Sequence, residues 1–222
     1  MAERQQAVAQ QEKVVISKRD TWASKKWYSV YTPSYLNGVV VAEVPASEPQ
    51  KLLGRTLEIS FFEITKDISH LPIKIRLQIN RVDGANAYTR FKGLELSRDY
   101  VRSLIRRGTS KSVAYVDVTT RDGWRLRLTI LGITAARVST SRKSAIRKAF
   151  ANVVSQKAQN LDIGSLLKEV LEGTLAAELF VAAKKIYPMR KVEIAKIKVL
   201  SYPKQEEIAE LKELPAQQAE LR

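Results

Sequence analysis

The sequence has no cysteine and a single histidine, His70. Without thiols there is no disulfide, no Cys-ligated zinc and no thiolate nucleophile. With one imidazole a His-rich metal site is excluded, and any Ser-His-Asp constellation has to be built on His70. His70 stands in D-I-S-H-L-P, a turn-like context before Pro72 that reads as an ordinary polar position. Long hydrophobic runs are missing too: none approaches the ~20 residues of a membrane-spanning helix. The opening M-A-E-R-Q-Q-A-V-A-Q-Q-E-K lacks the apolar stretch of a secretory leader, so a cytoplasmic protein with no membrane partner is expected. There is no G-x-x-x-x-G-K-[ST] loop, no G-x-G-x-x-G fingerprint and no G-x-S-x-G elbow. The carboxylate pairs Asp117/Asp122 and Glu206/Glu207 fall at a turn and in a tail. No catalytic residue, cofactor or metal is expected.

Acid is also scarce. In 222 residues there are 38 Lys and Arg against 23 Asp and Glu, a net charge of +15, with a sequence pI near 10.0. Five of those acids, Glu206, Glu207, Glu210, Glu213 and Glu220, crowd into residues 205–222, so the rest of the chain is more basic still. Such an excess repels itself unless a polyanion offsets it, which points to nucleic acid, with an anionic membrane as the weaker rival. A hydrophobic share of 45% is ample for a packed core.

The first 17 residues are Gln-rich and carry little pattern. From Lys18 to Tyr35 cations (Lys18, Arg19, Lys25, Lys26) interleave with aromatics (Trp22, Trp27, Tyr28, Tyr31, Tyr35). Rings can stack on bases while cations track phosphate; equally, Trp27 and Tyr28 can anchor an arm on the core. Strands are expected at Val39–Val44 and from Leu57 through Phe61, then at Ile73–Ile79, where Ile73, Ile75, Leu77 and Ile79 alternate with polar residues. A further strand returns through Tyr88–Leu94. Ser97 caps a helix expected to run to Gly108, with Val101, Leu104 and Ile105 as its buried stripe and Arg98, Arg102 and Arg106 along one face, extended by Arg107.

Val113–Ile133 reads as a β-hairpin turning at Arg121-Asp122-Gly123. Trp124, Leu126, Leu128 and Ile130 face the core, and Arg125 and Arg127 face outward. Beyond it lie Arg137, Arg142, Lys143, Arg147, Lys148 and Lys157, with no acid between Arg137 and Lys157. Ser141 is the expected cap of a helix to about Gln159. Two shorter helices follow, the first stopped by Gly173. The last strand, R-K-V-E-I-A-K-I-K-V-L, changes parity, and a bulge near Ala195 would reconcile it.

The fold class expected is α+β: an antiparallel or mixed β-sheet, barrel-like, with helices on one side. Residues 1–37 form a basic and aromatic N-terminal arm, 38–203 a single RNA-binding domain, and 204–222 an acidic C-terminal tail.

Four stretches in order resemble one family. K-K-W-Y-S-V-Y-T-P-S at 25–34, F-K-G-L-E-L-S-R-D at 91–99, A-Y-V-D-V-T-T-R-D-G-W-R-L-R-L at 114–128 and A-K-K-I-Y-P-M-R-K-V at 183–192 are similar to the S-three-a-e (S-one-e) family of small-subunit ribosomal proteins, closest to archaeal members. That resemblance implies a non-enzymatic structural constituent of the small ribosomal subunit. It would bind rRNA near the platform and the mRNA exit, with neighbouring ribosomal proteins and mRNA as further partners. The contact residues rest on charge and context: Lys18, Arg19, Lys25, Lys26, Arg98, Arg102, Arg106, Arg107, Arg137, Arg142, Lys143, Arg147 and Lys148. The alternative readings are a free RNA-processing or RNA-modifying enzyme and a non-ribosomal nucleic-acid-binding protein.

Overall fold

Apolar residues at every second position build eight stretches of the described chain into strands. A computed structural model describes Trp22 and residues 25–203. The expectations for Lys18, Arg19 and the acidic tail lie outside the described residues. The elements run β1 (Lys26–Tyr31), β2 (Val40–Ala46), β3 (Thr56–Ser60), α1 (Phe61–Thr65), β4 (Ile73–Asp83), β5 (Asn86–Leu96), α2 (Arg98–Leu104), β6 (Lys111–Thr119), β7 (Arg125–Thr134), α3 (Thr140–Asn160), α4 (Ile163–Glu172), α5 (Thr174–Lys184) and β8 (Met189–Ser201). Hydrogen bonding orders the strands β2-β1-β5-β8-β7-β6, with β3 on β4 and β4 on β5. The β1–β5 pair is parallel; the β1–β2, β5–β8, β7–β8 and β6–β7 pairs are antiparallel. The class is α+β with a mixed sheet.

The chain divides into two compact units. Among the described residues, the first holds those up to 57 together with 77–90. Lys26–Tyr31, assigned from the sequence to an arm, is a sheet strand here. Its aromatics and cations disguise an ordinary alternation: Tyr28 and Val30 are buried among Leu52, Ile79 and Ala87. The buried Thr32 hydroxyl locks the following turn, donating to the Leu36 carbonyl and accepting from Val39 N–H at 2.9 Å.

The second unit holds residues 58–76 and, of the described residues, those from 91 to 203. Its centre is the β6–β7 hairpin, where Gly123 takes φ +82°, a conformation costly for residues with a Cβ. Trp124, Leu126, Leu128 and Ile130 are fully buried, as the alternation requires. Phe150 and Ile146 of α3 and Leu179 of α5 are buried as well. Here α3 packs on β6 and α5 on β8. β8 skips Ala195, since Thr129 pairs with Lys196 but Ile130 with Ile194. That bulge turns Ile194 and Ile197 inward together. On the other side of β8 the Tyr100 hydroxyl of α2 donates to Glu193 and accepts from Lys191 Nζ at 2.7 Å.

Three local expectations are corrected. The strand through Leu57 stops at Ser60, whose hydroxyl accepts from Phe62 N–H and starts α1 at Phe61. The helix after Ser97 spans only Arg98–Leu104, because Ile105 is already extended. None of its expected stripe is fully buried; Ile105 is exposed. Arg106 therefore does not share a helix face with Arg98 and Arg102. Finally, α3 is capped at Ser139, not Ser141; the two hydroxyls meet at 3.2 Å.

Candidate nucleic-acid interface

A buried threonine organises the most basic part of the second unit. Thr134 ends β7, fully buried. Its hydroxyl accepts from Ser110 N–H at 3.0 Å and lies 3.1 Å from the Ser110 carbonyl and 2.6 Å from the Ala136 carbonyl. The Thr134 N–H donates to the Ser110 carbonyl, and the Ala135 N–H to the Pro188 carbonyl. The Ser110 hydroxyl accepts from Val138 N–H. Three chain segments are thus tied at one point: the 105–110 turn, the 134–139 approach to α3, and the turn before β8.

Each tied segment carries cations outward. Arg106 and Arg107 precede the knot, Arg137 follows it, and Arg142, Lys143, Arg147 and Lys148 occupy the first turns of α3. All are exposed except Lys143, which is half-buried. The Arg142 guanidinium lies over the Tyr187 ring, 5.5 Å from its centroid. The Tyr187 hydroxyl in turn reaches the Arg137 carbonyl at 3.5 Å. Arg98 and Arg102 are exposed on α2. No acid lies in the first turn of α3, and its Ser139 cap gives no side-chain acceptor. The positive end of the helix dipole therefore adds to the local field.

Among the described residues, none of Arg98, Arg102, Arg106, Arg107, Arg137, Arg142, Lys143, Arg147 and Lys148 is in an ion pair. Several cations elsewhere in the second unit are matched. Glu58 takes Lys74 and Arg76, and these guanidinium and ammonium partners hold its carboxyl below the usual range. Glu95 takes Arg76 and Lys196. Asp117 receives Arg127 through two bonds, at 2.6 and 2.7 Å. Lys157 was expected to extend the unpaired run, and it does not. It sits 2.8 Å from Glu178 and 2.9 Å from Glu169, which push its pKa up. Those acids come from α4 and α5, distant in sequence.

The remaining candidates among the described residues, Lys25 and Lys26, lie in the first unit. Lys26 is exposed at the start of β1, and Lys25 Nζ lies 4.0 Å above the centroid of the exposed Trp22 ring. Sequence reasoning overlooked Lys111, Lys184, Lys185 and Arg190, all exposed and without an ion pair among the described residues. For Lys184, Lys185 and Arg190 the signal was the A-K-K-I-Y-P-M-R-K-V stretch itself, whose cations were not counted. His70 is structural in its placement: Nδ1 is 3.0 Å from Thr65 Oγ1, and the ring lies against Phe61.

An arrangement of fixed, exposed, unpaired cations beside a helix start can bind a polyanion through its phosphates. The profile of the Ribosomal S3Ae family matches residues 13–203. The chain is similar to the small ribosomal subunit protein eS1 of Pyrobaculum calidifontis, with 68% identity over 219 residues that cover 99% of each chain. It is also similar to proteins of the same name from Aeropyrum pernix, at 46% identity across 83% of this chain and 88% of that one, and from Desulfurococcus amylolyticus, at 42% across 85% and 88%.

Proposed function

The chain belongs to the ribosomal S3Ae family, and on that premise we propose that it is a structural, non-enzymatic constituent of the small ribosomal subunit in the cytoplasm. It binds small-subunit rRNA near the platform and the mRNA exit, beside neighbouring ribosomal proteins and mRNA. The observation that carries this reading is the sorting of charge. Acids match the cations of Lys74, Arg76, Arg127 and Lys196, yet leave the Thr134 knot and the start of α3 unmatched. Phosphates of folded RNA supply the missing negative charge. Arg106, Arg107, Arg137, Arg142, Lys143, Arg147 and Lys148 then act as one patch, with Arg98 and Arg102 on α2 and Lys25 and Lys26 in the first unit as further contacts. Lys18 and Arg19 belong to the same contact set. Recognition runs through backbone and shape more than through base edges.

Sedimentation tests this directly. The protein should co-migrate with the small subunit at moderate salt and leave it progressively as salt rises. A protein that stays at the top of the gradient at every salt concentration would sink the reading.

A further inference from the structure

We propose that one face of the sheet in the first unit is a stacking platform for the unpaired bases of single-stranded RNA, centred on Trp27, Tyr31 and Tyr88. This deepens the RNA-binding reading and rests on it.

Strand parity separates the aromatic residues of β1 into two groups. Tyr28 points inward and is buried with Val30. Trp27 points the other way and remains 59% exposed, far too much for an anchor. Tyr31 shares the outward side with Trp27, four residues on and ~13 Å along the strand. β1 runs parallel to β5 in the register Ser29↔Asn86, Val30↔Ala87, Tyr31↔Tyr88. Val30 and Ala87 are both fully buried. Ser29, Asn86, Tyr31 and Tyr88 therefore lie together on the opposite face. The Tyr31 and Tyr88 rings stack, with centroids 5.7 Å apart and planes 27° from parallel. Just ahead of β1, Trp22 is 61% exposed with Lys25 over its ring.

The chemistry of this face selects the occupant. Its outward positions on β1 and β5 are aromatic (Trp27, Tyr31, Tyr88), polar (Ser29, Asn86) and cationic (Arg90). On β2 the same face adds Pro45 opposite Trp27, Glu43 opposite Ser29 and the exposed Val40 opposite Tyr31, so the rings, and not a continuous aliphatic patch, are its distinguishing chemistry. Rings accept any base by its π-face, and the polar residues between them tolerate water. Lys25 and Lys26 stand at the entrance to the strand to meet phosphates. Arg90, two residues after Tyr88, donates Nη2 to Gln78 Oε1 at 3.4 Å and keeps the far end positive. Bases held in an A-form duplex are already stacked on each other and cannot reach such rings, so the platform selects unpaired strands.

The test uses the full chain with a fluorescein-labelled oligouridylate, an abasic ribose-phosphate oligomer of equal length, and a short A-form duplex. Trp27→Ala should weaken oligouridylate binding about tenfold, in line with the loss of one stacked base. The salt slope should not change, since no phosphate contact is removed. Tyr88→Leu, which keeps bulk but loses the ring, should act in the same direction. Neither substitution should alter duplex binding. Equal losses on oligouridylate and duplex, or unchanged binding of oligouridylate, would overturn the proposal. So would wild-type affinity for the abasic oligomer equal to that for oligouridylate. In a Trp22→Phe protein, Trp27 is the exposed indole, since Trp124 is buried. If acrylamide fails to quench it in the RNA-free protein, another part of the chain covers the face, and the proposal is wrong. The wider reading fails separately. If folded small-subunit RNA binds with steep salt dependence while Trp27→Ala changes nothing, only the platform is lost; if neither RNA binds, both readings fall.

Discussion

Gly93→Ala should be among the most damaging single-methyl additions to this protein. Gly93 sits in β5 opposite Lys198 of β8. A Cβ at this position would lie 2.7 Å from the Ile197 carbonyl oxygen. That atom is backbone, inside a ladder, and cannot swing away. The β5–β8 pairing is short, limited to Gly93↔Lys198, Leu94↔Ile197 and Glu95↔Lys196, so separating the strands at one end disturbs most of it. Losing two ladder hydrogen bonds at about 1 kcal/mol each, plus the strain of overpacking, gives a destabilisation of about 2–4 kcal/mol. Gly132→Ala is the internal control. Its Cβ would meet Met189 Cε at 2.8 Å and the Phe150 ring at 3.0 Å, which are side-chain tips. Met189 can change rotamer, so a cost of about 1–2 kcal/mol is expected. Urea unfolding followed through the fluorescence of buried Trp124 measures both. If Gly93→Ala lies within about 0.5 kcal/mol of wild type, or Gly132→Ala proves the worse of the two, the close approach of β5 and β8 does not constrain this position.

Three further outcomes follow from the charges. The triple variant Arg142→Gln, Arg147→Gln, Lys148→Gln should lower the slope of log K against log salt for small-subunit RNA by about 2–3, at roughly 0.7–0.9 per phosphate contact, while leaving the circular dichroism spectrum unchanged; an unaltered slope places the RNA elsewhere. Lys157→Met leaves Glu169 and Glu178 facing each other without a cation and should cost about 1–2 kcal/mol at pH 7, the site being partly hydrated. Because the folded pKa of Lys157 is raised, its contribution is complete at neutral pH and is lost as pH climbs through that raised value, so the gap between wild type and variant should close only in strongly alkaline urea titrations. Asp122 Oδ2 accepts the Ile163 N–H at the start of α4, at 3.1 Å, while burial and the neighbouring Asp162 push its carboxyl pKa up. Asp122→Ala should therefore cost about 1 kcal/mol at neutral pH, whereas Asp122→Asn keeps the acceptor, removes the charge and should be neutral or slightly stabilising; equal loss in both would mean the cap bond contributes nothing.

The hairpin and the Ala195 bulge were legible because both are local. An Asp-Gly turn, a period of two and a slip in that period are written in consecutive residues. Helix ends were less legible. The 98–107 stretch has helical spacing, yet Ile105 turns extended, and Arg106 and Arg107 leave the helix to reach the Thr134 knot. β1 was hidden for a different reason. Its inward residues are one aromatic and one valine just after Lys25 and Lys26, a pattern that composition alone assigns to an exposed arm. The fate of Lys157 was unreadable in principle, since its partners lie 12 and 21 residues away on other helices. Absence of nearby acid in sequence says little about absence of acid in space.

That last distinction separates the candidate patch from an ordinary basic surface. A lysine whose carboxylates arrive from other helices is spoken for by the fold. The same could have been true of Arg106, Arg137 or Arg142, because the Thr134 knot gathers three separate segments and any of them could have carried an acid. None among the described residues does. Instead the knot uses neutral groups throughout: two hydroxyls, backbone N–H groups and carbonyls. Neutral ties hold the segments rigidly without cancelling the field of the cations mounted on them. Tyr187 does the same for Arg142, orienting the guanidinium through its ring instead of a carboxylate. Positioning is thereby separated from neutralisation, and the field of the cations stays available to a polyanion.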